Sequence, residues 1–116
     1  MPRFVILTHD HPHLHWDFFL EDGDVLRGWR LAHTPGPELS IPATIQTNHR
    51  KMYLDYEGPV SGDRGSVVRW DAGEFEWIEQ SSAFLALQIT GSRIHGRVEL
   101  KHIWEEDWLC TFRPQH

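Results

Sequence analysis

Cysteine is nearly missing from this chain. Cys110 stands alone, so no internal disulfide can form and the fold must rest on packing. Long apolar runs are missing as well. Phe4 to Leu7 is too short for the hydrophobic part of a signal peptide, and the longest uncharged apolar stretch, Ala83 to Leu87, is far below the roughly 20 residues that span a bilayer as a helix. A cytoplasmic protein without membrane contact is expected. Positive charge is also scarce: 11 Lys and Arg face 17 Asp and Glu, a formal net charge of -6. Such a chain has no general footprint for a polyanion, so any contact with nucleic acid must be local. At 116 residues the sequence predicts a single domain, residues 1–116, that buries roughly two-thirds of the surface its extended form exposes.

Histidine and aromatic rings are what the chain does hold. There are nine His, six Trp and six Phe, and His9, His11, His13 and His15 alternate within one short stretch. Turn signals arrive at short, even spacing, and the runs between them are rich in β-branched and aromatic residues, the pattern of an all-β sandwich or barrel. Strands are predicted near residues 4–8, 14–20, 25–31, 43–47, 66–70, 74–78, 84–90, 94–101 and 108–112. Asp22-Gly23 marks a tight hairpin, and Trp70 to Glu74 and Ile89 to Arg93 read as two more. Pro35, Gly36, Pro37 and Pro42 make residues 32–42 a loop. Residues 48–54 lack strand alternation and predict one helical turn that sets His49 and Tyr53 on one face. Period two along residues 14–20 puts Leu14, Trp16, Phe18 and Leu20 in the core, with His15, Asp17 and Phe19 opposite; Trp77, Trp104 and Trp108 are expected in the core or at its rim.

His15-Trp16-Asp17 is the informative local motif. On a strand, residues i and i+2 point the same way, so an imidazole and a carboxylate stand about 7 Å apart at Cα, a natural span for two ligands of one ion. His9 can complete the set if residues 10–13 turn, for which Pro12 is suited. Two histidines and a carboxylate with open positions suit manganese, iron(II) or zinc without choosing among them. The plainer reading is a solvated strand face, with His11 and His13 as exposed loop residues.

Read in order, Phe4-Val5-Ile6, His9, Leu14-His15-Trp16-Asp17-Phe18, the Asp-Gly hairpin, Val25-Leu26 and Trp29 resemble the phosphoesterase domain of bacterial DNA ligase D. The resemblance continues through His49 and Tyr53 (His-x-x-x-Tyr), Tyr56-Glu57-Gly58, residues 65–73 (Gly-x-Val-x-x-Trp-Asp-x-Gly in the family) and the closing run with Leu87, Gly91, Ile94, Gly96, Leu100 and Trp108-Leu109. It implies a small closed or nearly closed antiparallel β-barrel that removes a 3′-phosphate or 3′-terminal ribonucleotide from DNA ends. It implies His9, His15 and Asp17 as ligands of manganese or a similar divalent ion, zinc included, and His49 and Tyr53 as the catalytic pair beside the scissile phosphate. The implied partners are 3′ ends of DNA or DNA/RNA primer-templates, with ligase and polymerase on separate polypeptides; a monomer is expected. The chemistry of those residue types agrees: a divalent ion neutralises phosphoryl charge, a histidine orients or protonates the departing oxygen, and a tyrosine donates to a phosphate oxygen.

Departures from the family matter. Two residues beyond the metal-binding Asp the family carries an arginine that clamps the phosphate, and this chain has Phe19. Leu7 and Thr47 replace a common Gln and Glu, and the loop before Gly65 is shortened to Ser61-Gly62-Asp63-Arg64-Gly65. Arg50 or Arg64 is the expected substitute for the phosphate clamp. Reduced activity follows, and the alternative is a weak or inactive metal-binding module that recognises phosphorylated ends. A third reading is an iron(II) oxygenase with His95 or His102 as distal ligand.

Overall fold

The computed structural model describes residues 1–37 and 39–114; Glu38, inside the predicted loop, lies outside the described residues. Among the described residues nine strands form: β1 Arg3–His9, β2 His15–Asp22, β3 Val25–Leu31, β4 Ser40–Arg50, β5 Gly58–Pro59, β6 Ser66–Gln80, β7 Phe84–Gly91, β8 His95–Trp104 and β9 Asp107–Pro114. Eight of them close a barrel in the order β1-β2-β3-β4-β9-β8-β7-β6, with β6 returning to β1, and every ladder is antiparallel. β5 is a two-residue addition beside β6. The all-β expectation holds, and the one helical element among the described residues is a 3-10 turn, Lys51–Leu54.

Two apolar clusters share the strands. Inside the barrel, Phe4, Ile6, Phe18, Leu20, Trp29, Leu31, Leu87, Val98, Trp108 and Phe112 are buried together, Trp29 and Trp108 meeting edge to face at 5.7 Å. Outside it, Val5, Leu7, Phe19, Leu26, Leu54 and Val67 form a smaller cluster under Tyr53, Tyr56 and Val60. This explains why Phe4 to Leu7 shows no alternation: β1 is buried on both faces. The segment from Lys51 to Gly65 is the outer cover. It is pinned to the barrel by Lys51–Glu21 at 2.7 Å, by Arg3–Asp55 at 2.6 Å and by the Arg69 N–H donating to Glu57 at 2.8 Å.

Several expectations need correction. Leu14 lies before β2 and is exposed, so it is not core; Trp104, on the β8–β9 hairpin, is 69% exposed. His15, Asp17 and Phe19, opposite the barrel interior, are buried rather than solvated. Pro42 sits within β4, its carbonyl accepting the Ala32 N–H, so the loop ends before Ser40. His49 is the second-last residue of β4 and Tyr53 lies in the 3-10 turn, so they meet across a strand-to-turn junction and not on one helical face. The predicted hairpin at residues 70–74 does not exist: β6 runs straight through it. The buried Asp71 carboxylate instead accepts N–H bonds from Ala72, Ser92, Arg93 and Ile94 at 2.8–3.1 Å, closing the neighbouring β7–β8 turn. A turn-forming residue thus serves another segment's turn. Cys110 is buried, and burial pushes its thiol up, which keeps it unreactive.

Candidate metal centre

The β1–β2 connection brings the end of one strand against the start of the next. His9 and His15 are register partners, and Asp17 follows His15 on the same outer face. One potential ligand atom from each of His9, His15 and Asp17 lies within 4.8 Å of the other two. Asp10 shapes the connection: its Oδ1 accepts the Ser66 N–H at 2.8 Å. Gly65 is required there, because its φ is +72° and a Cβ would fall 2.2 Å from that oxygen.

Backbone carbonyls dictate how the rings are protonated. His9 Nε2 lies 2.8 Å from the Arg64 carbonyl, and His15 Nδ1 lies 2.9 Å from the His13 carbonyl. A carbonyl only accepts, so these nitrogens carry the protons, and in a neutral ring the other nitrogen holds a lone pair. Those other nitrogens face Asp17: His9 Nδ1 is 3.2 Å from Oδ2, and His15 Nε2 is 3.1 Å from Oδ1. His15 Nε2 is buried and makes no hydrogen bond among the described residues. Three electron-pair donors therefore converge, an arrangement that repels itself unless protons or a cation lie among them. Ligands about 2.1 Å from one ion stand roughly 3.0–3.4 Å apart in octahedral or tetrahedral sites. The two nitrogen–oxygen separations, one to each Asp17 oxygen, lie in that range, and one donor atom from each of the three residues lies within 4.8 Å of the others, a donor set of the chemistry a divalent transition ion takes.

Burial acts to push the Asp17 carboxyl up, but when the two rings carry their second protons His15, the Gln46 amide and His9 outweigh it and hold Asp17 below the usual carboxylate range. Gln46 Nε2 donates to Asp17 Oδ1 at 2.7 Å. Carbonyl and amide contacts of this kind fix ligand orientation around metals.

A cavity of about 200 Å³ opens beside these donors and is lined by His9, His11, Pro12, Asp17, Phe19, Arg30, Gln46, His49, Tyr53 and Arg64, with Leu7, Val60 and Val67 at its apolar side. His49 Nδ1 lies 2.8 Å from the Thr47 carbonyl, which fixes that nitrogen as the donor and leaves Nε2 uncommitted. The His49 ring packs on Phe19 at 4.7 Å and on Tyr53 at 6.0 Å. Phe19 is thus a buried floor beneath the His–Tyr pair. Its ring occupies the space over Gly28, where a Cβ would fall 2.5 Å from Phe19 Cε1.

The structure brings His9, Asp17, His49, Tyr53 and Arg64 to one cavity, with His15 buried beside Asp17. The Arg64 carbonyl meets His9 Nε2, and its guanidinium donates to Ser61 at 2.6 and 3.2 Å. Arg50, at the end of β4, is exposed and does not line the cavity. His95 lines other clefts and His102 hydrogen-bonds the Glu105 carbonyl, so neither joins His15 and Asp17 as a distal ligand. His11, one of the four clustered histidines, also lines the cavity, as do Arg30 and Gln46, which the sequence did not single out. For Arg30 the signal was present: a two-residue Gly23-Asp24 turn pairs Asp22 with Val25, and counting back along both strands pairs Asp17 with Arg30.

Residues 7–102 match the DNA Ligase D 3′-phosphoesterase domain family. The "Multifunctional non-homologous end joining protein LigD" of Pseudomonas aeruginosa is 27% identical over 108 residues, covering 84% of this chain and 13% of that protein. A protein of the same name from Mycobacterium bovis is 28% identical over 116 residues, covering 92% of this chain and 15% of the relative. The "Multifunctional non-homologous end joining DNA repair protein LigD" of Mycobacterium tuberculosis strain H37Rv shows the same identity and coverage. The chain spans about one-seventh of the length of the curated relatives it matches.

Proposed function

The chain belongs to the DNA ligase D 3′-phosphoesterase domain family, and from that premise we propose that it is a divalent-metal-dependent phosphoesterase that trims 3′ ends of DNA in end-joining repair, removing a terminal phosphate or ribonucleotide. One observation carries the metal dependence: the lone-pair nitrogens of His9 and His15 face the Asp17 carboxylate, their opposite nitrogens being held by backbone carbonyls. His9, His15 and Asp17 would hold the divalent ion, manganese first among the candidates, which would supply charge neutralisation to a phosphoryl group.

The remaining work falls to the chain's own side chains. With Nδ1 turned to the Thr47 carbonyl, His49 has Nε2 free to give a proton to the departing oxygen or take one from water. Tyr53 adds a neutral hydrogen bond to a phosphate oxygen. Phe19 supports both rings from below and keeps that wall of the cavity dry, which strengthens the polar contacts made above it. Such an end fits an acidic protein, because a terminal phosphate needs only a local cationic site.

The test is turnover of a primer ending in a 3′-phosphate or a single 3′-ribonucleotide by metal-stripped, manganese-reloaded protein. The reading expects release of phosphate or nucleoside, lost in His15→Ala and lowered about 100-fold or more in His49→Ala. A second reading, binding of phosphorylated ends without turnover, draws on Phe19, an apolar ring where the family carries an arginine. Tight binding with no product from either primer favours it.

A further inference from the structure

We propose that Arg30 is the guanidinium that meets the anionic group of the ligand in this cavity; the proposal rests on the phosphoesterase reading and names a residue that reading does not use. Arg30 lies on β3 directly opposite Asp17 on β2. Its neighbours Trp29 and Leu31 are buried in the barrel interior, so Arg30 belongs to the outer face and lines the cavity with Asp17, His49 and Tyr53.

Directly opposed residues have Cβ atoms about 4.5–5.5 Å apart, a distance at which an arginine and an aspartate ordinarily pair. Here they do not. The Asp17 oxygens are already met by His9, His15 and Gln46, and the Arg30 guanidinium makes no hydrogen bond or ion pair among the described residues. The other arginine at the cavity, Arg64, is tied to Ser61. Arg30 therefore brings the cavity's one uncommitted guanidinium among the described residues, in a protein of net charge -6.

The packing beside it favours reach into the cavity. Gly28 precedes Arg30 by two positions on the same face, and the Phe19 ring lies over it. No side chain of β3 stands between Arg30 and the cavity at that rung, and the ring offers an apolar flank for the arginine's methylene stem. A planar five-donor fork set beside a site for a phosphate suits two oxygens of one phosphoryl group. Arg30 also lies diagonally from Phe19, about 7–8 Å across the ladder, within the span of an arginine side chain.

The test uses the full, manganese-loaded chain and two DNA strands of one sequence, one ending in a non-hydrolysable 3′-methylenephosphonate and one in a 3′-hydroxyl, titrated by calorimetry. The wild type prefers the phosphonate strand. Arg30→Gln lowers that preference about tenfold to a hundredfold, as for loss of one charge-assisted pair, while the 3′-hydroxyl strand and manganese bind as before. Arg30→Lys falls between, and Arg93→Gln, the same charge change in the β7–β8 turn, leaves the preference intact. A preference that survives Arg30→Gln overturns the role of Arg30 alone, and so does an equal loss for both strands. A wild type with no preference for the phosphonate overturns the phosphate reading and this proposal together.

Discussion

Gly28→Ala is the most informative small change. An ideal Cβ at position 28 falls 2.5 Å from Phe19 Cε1 and 2.6 Å from Cδ1, so the ring must retreat by about 1 Å to reach ordinary contact. Phe19 has little room to do so. It is 1% exposed, packed in the outer cluster with Val5, Leu7, Leu26, Leu54 and Val67, and its ring lies with its centroid 4.7 Å from that of His49. Overpacking of this kind costs about 1–3 kcal/mol, which for a chain of this size lowers Tm by about 4–15 °C. The displaced ring also shifts His49, and a misplacement near 1 Å costs on the order of 100-fold in rate. Urea denaturation with a double-mutant cycle checks the cause: Phe19→Leu in the Gly28→Ala background should recover part of the stability lost, giving a coupling energy above about 0.5 kcal/mol. If Gly28→Ala is as stable as the wild type, or if the two changes add without coupling, the close packing of Phe19 over position 28 is refuted.

Two further outcomes follow from other contacts. Asp71→Ala strips the carboxylate that receives four backbone N–H groups and should cost about 2–4 kcal/mol by urea denaturation, leaving the protein that remains folded as active as before. Glu99 is pushed up by burial but pulled down further by hydrogen bonds from Arg97 and Arg113, so its carboxyl lies below the usual range. A depressed carboxylate stabilises the fold above its unfolded value near 4.3 and loses that contribution as pH falls through the folded value. The stability gap between wild type and Glu99→Gln, about 0.5–1 kcal/mol at pH 7 for so exposed a cluster, should therefore close below about pH 4. A gap that widens on acidification would show that these arginines do not stabilise the carboxylate.

Legibility in the sequence followed the range of the signal. The strand from Val25 to Leu31 is read at its true bounds because the Asp22-Gly23 turn and the apolar alternation are local. His9, His15 and Asp17 meet because the β1–β2 connection is short, and a short connection leaves few ways to arrange its ends. Gln46 was not legible, since its approach to Asp17 depends on how β4 slides against β3 after an irregular loop, and no local pattern sets that register. Asp71 misled for a related reason: Asp-x-Gly has turn chemistry whether it closes its own turn or another's, and only the pairing of β6 with β7 decides. Of the two arginines expected to contact phosphate, Arg64 reaches the cavity and Arg50 does not, a difference set by the fold of the 60–65 loop rather than by charge.

The central claim is that His9, His15 and Asp17 share one divalent ion. Its most direct measurement is a manganese titration of chelator-stripped protein, followed by electron paramagnetic resonance of free ion and by Tm. One ion per chain should bind, and at 100 times Kd the fold should gain about 2.7 kcal/mol, a rise in Tm of about 10 °C. His15→Ala and Asp17→Asn should abolish both effects, and His11→Ala with His13→Ala should abolish neither. Binding that survives the first pair and disappears with the second would place the ion on the exposed loop histidines and contradict the account.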